Sequence, residues 1–311
     1  MPNQLAKETL FLHTAEMGLG AWSWGDRSLW NYGHGYTDTD IEEGFRTSLA
    51  AGVNLVDTAE TYGSGRSERL LGQFIKNTPT PVLVATKFIP YPWRLSRKAV
   101  LNALRRSLER LGLERVDLYQ IHWPFPPMPV EFWVEEIGKV ARAGLTRTVG
   151  VSNFDKNQMQ RAYNVLAKFN LPLASNQVEY HLLNRAVEKN GLLERCHELN
   201  VRLIAYSPMA KGFLTGKYTV KNPPPGVRGN GAVAKLERIQ PLIHLMNEIG
   251  KGHNGKTPAQ VALNWIVCKG GLPIPGAKTG AQAAQNAGAI GWRLMPEEVK
   301  ALDETSDKVA K

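Results

Sequence analysis

The stretch Ser96-Arg-Lys-Ala-Val-Leu-Asn-Ala-Leu-Arg-Arg-Ser-Leu-Glu-Arg-Leu-Gly-Leu-Glu-Arg-Val-Asp-Leu-Tyr-Gln-Ile-His122 contains the unit from which the fold is read. Ser96 stands where a helix N-cap belongs. Leu101, Leu104, Leu108 and Leu111 then form one apolar stripe at three- and four-residue spacing, and Gly112 falls where a C′ glycine ends a helix. Val116–His122 reads as a strand that is largely apolar rather than strictly alternating, the pattern of a parallel strand covered on both faces.

Outward from this unit the same alternation continues in both directions. Further strands are predicted at Met17–Ala21, Asn54–Asp57, Val82–Lys87, Thr148–Val151, Ser175–Val178, Val201–Tyr206 and Leu272–Ile274. Helices are predicted at Ile41–Ala51, Ser67–Lys76, Phe132–Ala143, Lys156–Lys168, Arg185–Leu199, Leu236–Lys251, Pro258–Lys269, Ala281–Ile290 and Pro296–Asp307. Repeated strand–helix units mean a parallel α/β sheet, and eight of them without a break in composition favour a (β/α)8 TIM barrel, one domain over residues 1–311. A doubly wound open sheet is the alternative, because a number of strands does not by itself show closure. Residues 1–15 precede the first strand and are expected to cap the lower end of the barrel. Ser207–Ala234, with Gly212, Gly216 and Pro223-Pro-Pro-Gly226, is a long connection of the kind that carries function.

Composition narrows the classes. A length of 311 residues suits one α/β barrel or two small domains. Cys196 and Cys268 are the two cysteines, too few for a disulfide framework or a four-cysteine zinc site. No apolar run reaches about 18 residues, and the opening Met1-Pro-Asn-Gln-Leu-Ala-Lys-Glu lacks the apolar stretch of a signal peptide. A soluble, cytoplasmic chain is expected, with an organelle stroma left open. The net charge of +10 raises nucleic acid, membrane surface or a phosphorylated ligand. The basic residues are scattered, however, and the densest group (Arg105, Arg106, Arg110, Arg115) alternates with Glu109 and Glu114. Neither nucleic acid nor membrane is expected as a partner, nor is an obligate protein partner; a phosphorylated small molecule remains.

The polar residues inside the apolar runs carry the chemistry. Asp57 ends the second strand, Lys87 the third and His122 the fourth; Ser152 and Asn153 follow the fifth, Gln177 lies near the end of the sixth and Tyr206 ends the seventh. In a barrel all of these positions open on the C-terminal face, where active sites are built. A buried Asp or Lys alone is costly, whereas Asp57 and Lys87 together form an ion pair, which structural salt bridges also do. Tyr62 lies in Asp57-Thr-Ala-Glu-Thr-Tyr-Gly-Ser-Gly-Arg-Ser-Glu68, just past Asp57. A neighbouring ammonium is expected to lower its phenol pKa from the reference of about 10 and make it a general acid, with Asp57 holding Lys87 in place. His122 is positioned to hydrogen-bond the same reacting oxygen. It has no second His or Cys at metal-ligand spacing, so no metal is expected.

In order and at the right strand ends, Asp57, Tyr62, Lys87 and His122 resemble the catalytic tetrad of the aldo-keto reductases. Met17-Gly-Leu-Gly-Ala-Trp22, Asp57–Glu68, Gln120-Ile-His-Trp-Pro124, Gly150-Val-Ser-Asn-Phe154, Ala205-Tyr-Ser-Pro208 and Ile274-Pro-Gly-Ala277 resemble that family's motifs over about residues 14–305. The resemblance implies a barrel that binds NADPH, in preference to NADH, without a Rossmann fingerprint. It implies that Ala21, Trp22 and Asp57 border the cofactor, that Ser152, Asn153 and Gln177 hold the nicotinamide carboxamide and that Tyr206 stacks on its ring. It further implies that Ser207, Pro208, Met209, Ala210, Gly212 and Leu214 line the pyrophosphate path, with Lys217 and Arg228 reaching phosphates, and that 207–234 covers the cofactor. Gly276, Lys278, Gln282, Gln285 and Asn286 would hold the adenosine end.

Gln282 departs from the many NADPH-specific members with an arginine there and resembles the branch of the potassium-channel β subunits and pyridoxal reductase-like members. Lys278 would then meet the 2′-phosphate as a point charge. Trp22, Trp24, Trp93, Trp123 and Phe125, all just past strand ends, would rim the substrate pocket and suggest an apolar or aromatic carbonyl. The expected activity is reduction of an aldehyde or ketone to an alcohol, with Tyr62 as acid. A redox-sensing regulatory subunit is the alternative from another class, against which His122 stands where the channel β subunits have asparagine. A barrel isomerase or metal hydrolase is a third.

Overall fold

The computed structural model describes residues 9–309 of the chain. The unit quoted first folds as a helix over Lys98–Leu111, with Gly112 in the left-handed conformation at φ 66°, followed by a strand over Val116–Ile121. Ser96 sits one residue outside the N-cap position, held by Arg97, and its Oγ accepts from the Lys98 backbone N–H at 3.2 Å. The buried stripe runs through Val100, Ala103, Leu104, Ser107, Leu108 and Leu111, with Leu101 at its edge.

Eight parallel strands lie side by side in chain order. They are β1 (Leu19–Gly20), β2 (Leu55–Asp57), β3 (Leu83–Phe88), β4 (Val116–Ile121), β5 (Thr146–Ser152), β6 (Leu173–Glu179), β7 (Arg202–Tyr206) and β8 (Leu272–Pro273). The seam closes: Gly20 bridges Gly276 in parallel, and the backbone N–H groups of Gly18 and Gly20 donate to the carbonyls of Pro273 and Pro275, each at 3.0 Å. The sheet is therefore a barrel and not an open doubly wound sheet. Gly20 is required at the seam, since a Cβ there would lie 2.7 Å from the Ile274 carbonyl oxygen. Both seam strands are shorter than their apolar runs, because Pro273 and Pro275 cannot donate to a ladder.

The helices follow the predicted alternation with two changes. The segment read as Arg185–Leu199 is two short helices, Ala186–Lys189 and Leu192–Glu198, broken at Gly191, whose φ is 73°. The helix expected from Leu236 begins at Ala232 and runs to Gly252, and the connection before it contains 3-10 turns at Ala210–Thr215 and Gly226–Gly229.

Two apolar clusters result. One fills the layer between strands and helices; the other lies inside the barrel, where Leu55, Leu118, Ile204 and Leu272 meet Phe11 and Leu12. Residues 9–14 are helical and bring those two side chains to the barrel interior. Residues 1–8 of the expected cap lie outside the described residues. Burying a side chain such as Leu12 contributes roughly 1.5–3 kcal/mol. Among the described residues, no helix is long and apolar enough to cross a membrane.

Candidate active site

The polar residues read from the strands converge at the C-terminal end of the barrel. Asp57 is the last residue of β2, and Lys87 pairs in register with Gln120 of β4. The Lys87 ammonium is fully buried; its Nζ donates to Asp57 Oδ2 at 2.5 Å, to the Thr58 carbonyl at 2.8 Å and to Tyr62 Oη at 3.3 Å. The other carboxylate oxygen, Asp57 Oδ1, accepts from Gln177 Nε2 at 2.8 Å and from Gln120 Nε2 at 3.3 Å. Gln120 stood in the sequence as part of a motif and not among the candidate site residues, although as a polar residue inside an apolar strand it carries the same signal as Lys87. The ion pair is thus paired and hydrogen-bonded, the condition for holding two charges in the interior.

Tyr62 sits on a 3-10 turn, Tyr62–Gly65, in which Gly63, Ser64 and Gly65 all have positive φ. Buried polar contacts just beyond it fix that turn. Ser67 Oγ donates to the Ala21 carbonyl at 3.0 Å and lies 2.8 Å from Thr58 Oγ1. The buried Glu68 accepts from Thr86 Oγ1 and from Arg110 Nε, both at 2.6 Å. His122, immediately after β4, places its ring 5.8 Å from the Tyr62 ring at 77°. Its backbone N–H donates to Phe88 O at 2.8 Å, and its Nδ1 is buried with no partner among the described residues.

Electrostatics correct one expectation. Burial raises the Tyr62 pKa and outweighs the lowering by the Lys87 ammonium, so Tyr62 is held as the neutral phenol rather than pulled toward the phenolate. Burial disfavours the Lys87 charge, but Asp57 and Tyr62 reverse it, and the net shift is upward. Burial and the Lys87 charge push His122 down to about 3, so its imidazole is neutral at ordinary pH. The three groups thus stand as phenol, ammonium and neutral imidazole.

Beside the tetrad, Ser152 Oγ donates to the Gln177 carbonyl at 2.8 Å, and Asn153 Nδ2 donates to the His122 carbonyl and to Ser152 Oγ, both at 3.1 Å. Tyr206 Oη donates to Asn153 Oδ1 at 3.0 Å. Asn153 has φ 61°, a conformation Asn tolerates better than most residues. This network ties the ends of β4, β5, β6 and β7 into one wall.

That wall opens into a cavity of 1410 Å³. Asp57, Trp22, Ser152, Asn153, Gln177 and Tyr206 border it near the tetrad. Ser207, Pro208, Met209, Gly212, Lys217 and Arg228 border it from the connection after β7, and Gly276, Lys278, Gln282, Gln285 and Asn286 from that after β8. Three expected cofactor residues do not border it: Ala21, Ala210 and Leu214 have side chains buried in the apolar core.

Of the expected pocket aromatics, Trp22 and Trp123 border the cavity and three do not. Trp24 turns back beneath the first connection, donates from Nε1 to Ala277 O at 3.2 Å and packs on Phe45 and Phe74 in the helix layer. Trp93 is 74% exposed and stacks on Tyr91; Phe125 stacks outside Trp123. Closeness to a strand end did not decide which way these rings face. Conversely, Trp30, Tyr36, Thr61, Glu179, Lys211 and Tyr218 border the cavity and were not singled out. The only signal for Trp30 and Tyr36 was the density of aromatics between β1 and the next helix, Asp38–Ala50.

The part of the cavity bordered by Trp30 and Tyr36 is cationic. The Arg228 guanidinium lies over the Trp30 ring at 5.1 Å, and Lys278 Nζ lies over the Tyr36 ring at 4.3 Å and donates to Trp30 O at 2.9 Å. Burial, with Arg228 and Lys217 nearby, pushes Lys278 down to about 8. Gln282 turns its Oε1 back to the Lys278 backbone N–H at 3.0 Å. Arg228 Nε is buried without an acceptor among the described residues. Crowded cations with an unused donor suit a phosphate-bearing end of a long ligand whose other end reaches Tyr62. Among the described residues, no group of three or more His, Cys, Asp or Glu could hold a metal ion.

The chain has relatives among known proteins. Pyridoxal reductase of Arabidopsis thaliana, described as chloroplastic, is 39% identical over 305 residues, covering 94% of this chain and 83% of that one. A glycerol dehydrogenase from Gluconobacter oxydans superposes with a TM-score of 0.78 at 28% identity, covering 95% and 93% of the two chains. An aldo-keto reductase from Klebsiella pneumoniae, solved in complex with NADPH, gives a TM-score of 0.73 at 30% identity, covering 93% and 90%. The model of the aldo/keto reductase family matches residues 16–307, which contain every strand of the barrel and the four residues Asp57, Tyr62, Lys87 and His122; the chain belongs to that family.

Proposed function

We propose that this protein reduces an aldehyde or ketone to the corresponding alcohol using NADPH. The observation that carries the reading is the Lys87 ammonium held between Asp57 and the Tyr62 hydroxyl at the floor of a cavity with a cationic part around Trp30 and Tyr36. When bound, the reduced nicotinamide supplies the hydride to the carbonyl carbon. Tyr62 Oη donates the proton to the carbonyl oxygen, so hydride and proton together complete the alcohol. Kept neutral by burial, Tyr62 has that proton to give, and the nearby Lys87 ammonium stabilises the phenolate left behind. The neutral His122 imidazole orients the carbonyl by hydrogen bonding. Asn153 and Tyr206 would hold the nicotinamide, Lys217, Arg228 and Lys278 would meet the phosphates, and the segment 207–234 would help to hold the cofactor.

The pocket side presents Trp22 and Trp123, which favours a flat, apolar or aromatic carbonyl, and the similarity to a pyridoxal reductase supports a small aromatic aldehyde. No macromolecular partner enters this reading. The cytoplasm is the proposed location, and the chloroplastic relative makes an organelle the alternative.

The test is NADPH oxidation with a panel of aromatic, aliphatic and sugar aldehydes. Steady turnover is expected on aromatic aldehydes, with a loss of about 10²–10⁴-fold in Tyr62→Phe while NADPH binding is retained. Tight NADPH binding with negligible wild-type turnover across the panel would favour a redox-sensing subunit instead.

A further inference from the structure

Trp30 lies in the connection between β1 and the helix Asp38–Ala50, the segment that also carries Trp22. Its indole is held from several directions. Trp22 meets it edge to face, with ring centroids 5.6 Å apart at 84°. The Arg228 guanidinium lies 5.1 Å from its centroid and the Lys278 ammonium 5.0 Å, while Lys278 Nζ also donates to the Trp30 carbonyl at 2.9 Å. Trp30 thus joins a cation from the connection after β7 to one from the connection after β8.

Two donors in this group have no acceptor among the described residues: Trp30 Nε1 and Arg228 Nε are both buried without a partner. An indole N–H can only donate, so its capacity is unused unless an acceptor arrives from outside the chain. Asp26 is the nearby carboxylate, but its Oδ1 already accepts from Ser28 Oγ at 3.1 Å and from the backbone N–H groups of Leu29 and Trp30 at 2.8 and 3.4 Å. Arg228 otherwise donates from Nη1 to the Lys211 carbonyl at 3.2 Å and lies 5.9 Å from the centre of the Tyr218 ring. Unused donors and an ammonium on the border of one cavity call for a multiply charged oxyanion.

We propose that Trp30 is a phosphate ligand: its indole N–H donates to a phosphate group of the dinucleotide, together with Arg228 Nε and the Lys278 ammonium. The inference rests on the NADPH reading above. An indole adds a donor without adding to the repulsion among Arg228, Lys217 and Lys278, and its ring face receives the two cations that the phosphate neutralises. The phosphate has two possible sources, the 2′-phosphate of the adenosine and the pyrophosphate, and both present the same acceptors.

The test measures binding by calorimetry for wild type and Trp30→Phe, which keeps a ring and removes the N–H, using NADPH, NADH and adenosine 2′,5′-bisphosphate. Loss of a hydrogen bond to a charged group predicts about ten- to hundredfold weaker binding in the variant. Weakening for NADPH and the bisphosphate but not NADH assigns the contact to the 2′-phosphate; equal weakening for NADPH and NADH assigns it to the pyrophosphate. A folded variant with wild-type affinity for all three overturns the proposal and leaves the NADPH reading standing. If wild type binds neither dinucleotide, both fall. In wild type, the Trp30 indole N–H resonance must also shift downfield on saturation with NADPH; no shift overturns the proposal even if the variant does not fold.

Discussion

The Lys87 ammonium lies 3.3 Å from the Tyr62 hydroxyl and 4.9 Å from the centre of its ring, so it meets the phenol at its oxygen. This places a fixed positive charge where negative charge grows as Tyr62 gives up its proton. Burial opposes the phenolate before reaction, and the ammonium favours it once the proton has gone.

Lys87→Met removes the partner of a buried carboxylate. We expect a destabilisation of about 3–5 kcal/mol, read by urea unfolding, because Asp57 is left uncompensated. The double variant Asp57→Asn/Lys87→Met should recover much of the stability and none of the turnover. Recovery of turnover in the double variant would show that the ammonium plays no part in the chemistry.

His122 gives a dependence on pH with a definite sign. Its folded pKa of about 3 lies below the ordinary value of 6.5, so between these values the unfolded chain binds more protons than the folded one. The stability this neutral imidazole contributes is present above pH 6.5 and is lost as the pH falls toward 3. Thermal unfolding from pH 7 to 4 should show a shallower decline in His122→Asn than in wild type. For the same reason, kcat/KM should show no acid limb near pH 6.5 from this residue.

At pH 8 about half of the Lys278 side chains are unprotonated, since the pKa is pushed down to about 8. A bound phosphate raises it again, so NADPH binding should take up on the order of half a proton. Calorimetry in two buffers of different ionisation enthalpy reads this directly. Lys278→Met should abolish the uptake and weaken NADPH binding.

Glu68 acts on the turn that carries Tyr62. Glu68→Ala strands Arg110 Nε and Thr86 Oγ1 in the interior, and we expect a loss of about 3 kcal/mol with kcat falling more than KM changes. Glu68→Gln keeps an acceptor and should restore part of both. Equal kcat in the alanine and glutamine variants at matched folded fractions would show that the turn does not depend on this anchor.

Sequence alone determined the alternation of eight strands with helices and the placement of Asp57, Lys87, His122, Ser152 and Gln177 at strand ends. A charged or polar residue in an apolar run is a local signal, and strand order in a parallel barrel follows chain order. Closure, in contrast, was decided where Gly20 bridges Gly276, just past β8: β1 and β8 are each two residues long, and Pro273 and Pro275 interrupt the second run, so neither is long enough to carry any period. The direction of the Tyr62 shift was also a tertiary matter, because desolvation depends on everything packed around a group, whereas the ammonium could be read from two positions in the chain. Trp24, Trp93 and Phe125 faced away from the cavity, and Trp30 faced it, for a related reason. Aromatic side chains are apolar enough for core, surface stack or pocket alike, and only the path of the connecting backbone decides which they meet.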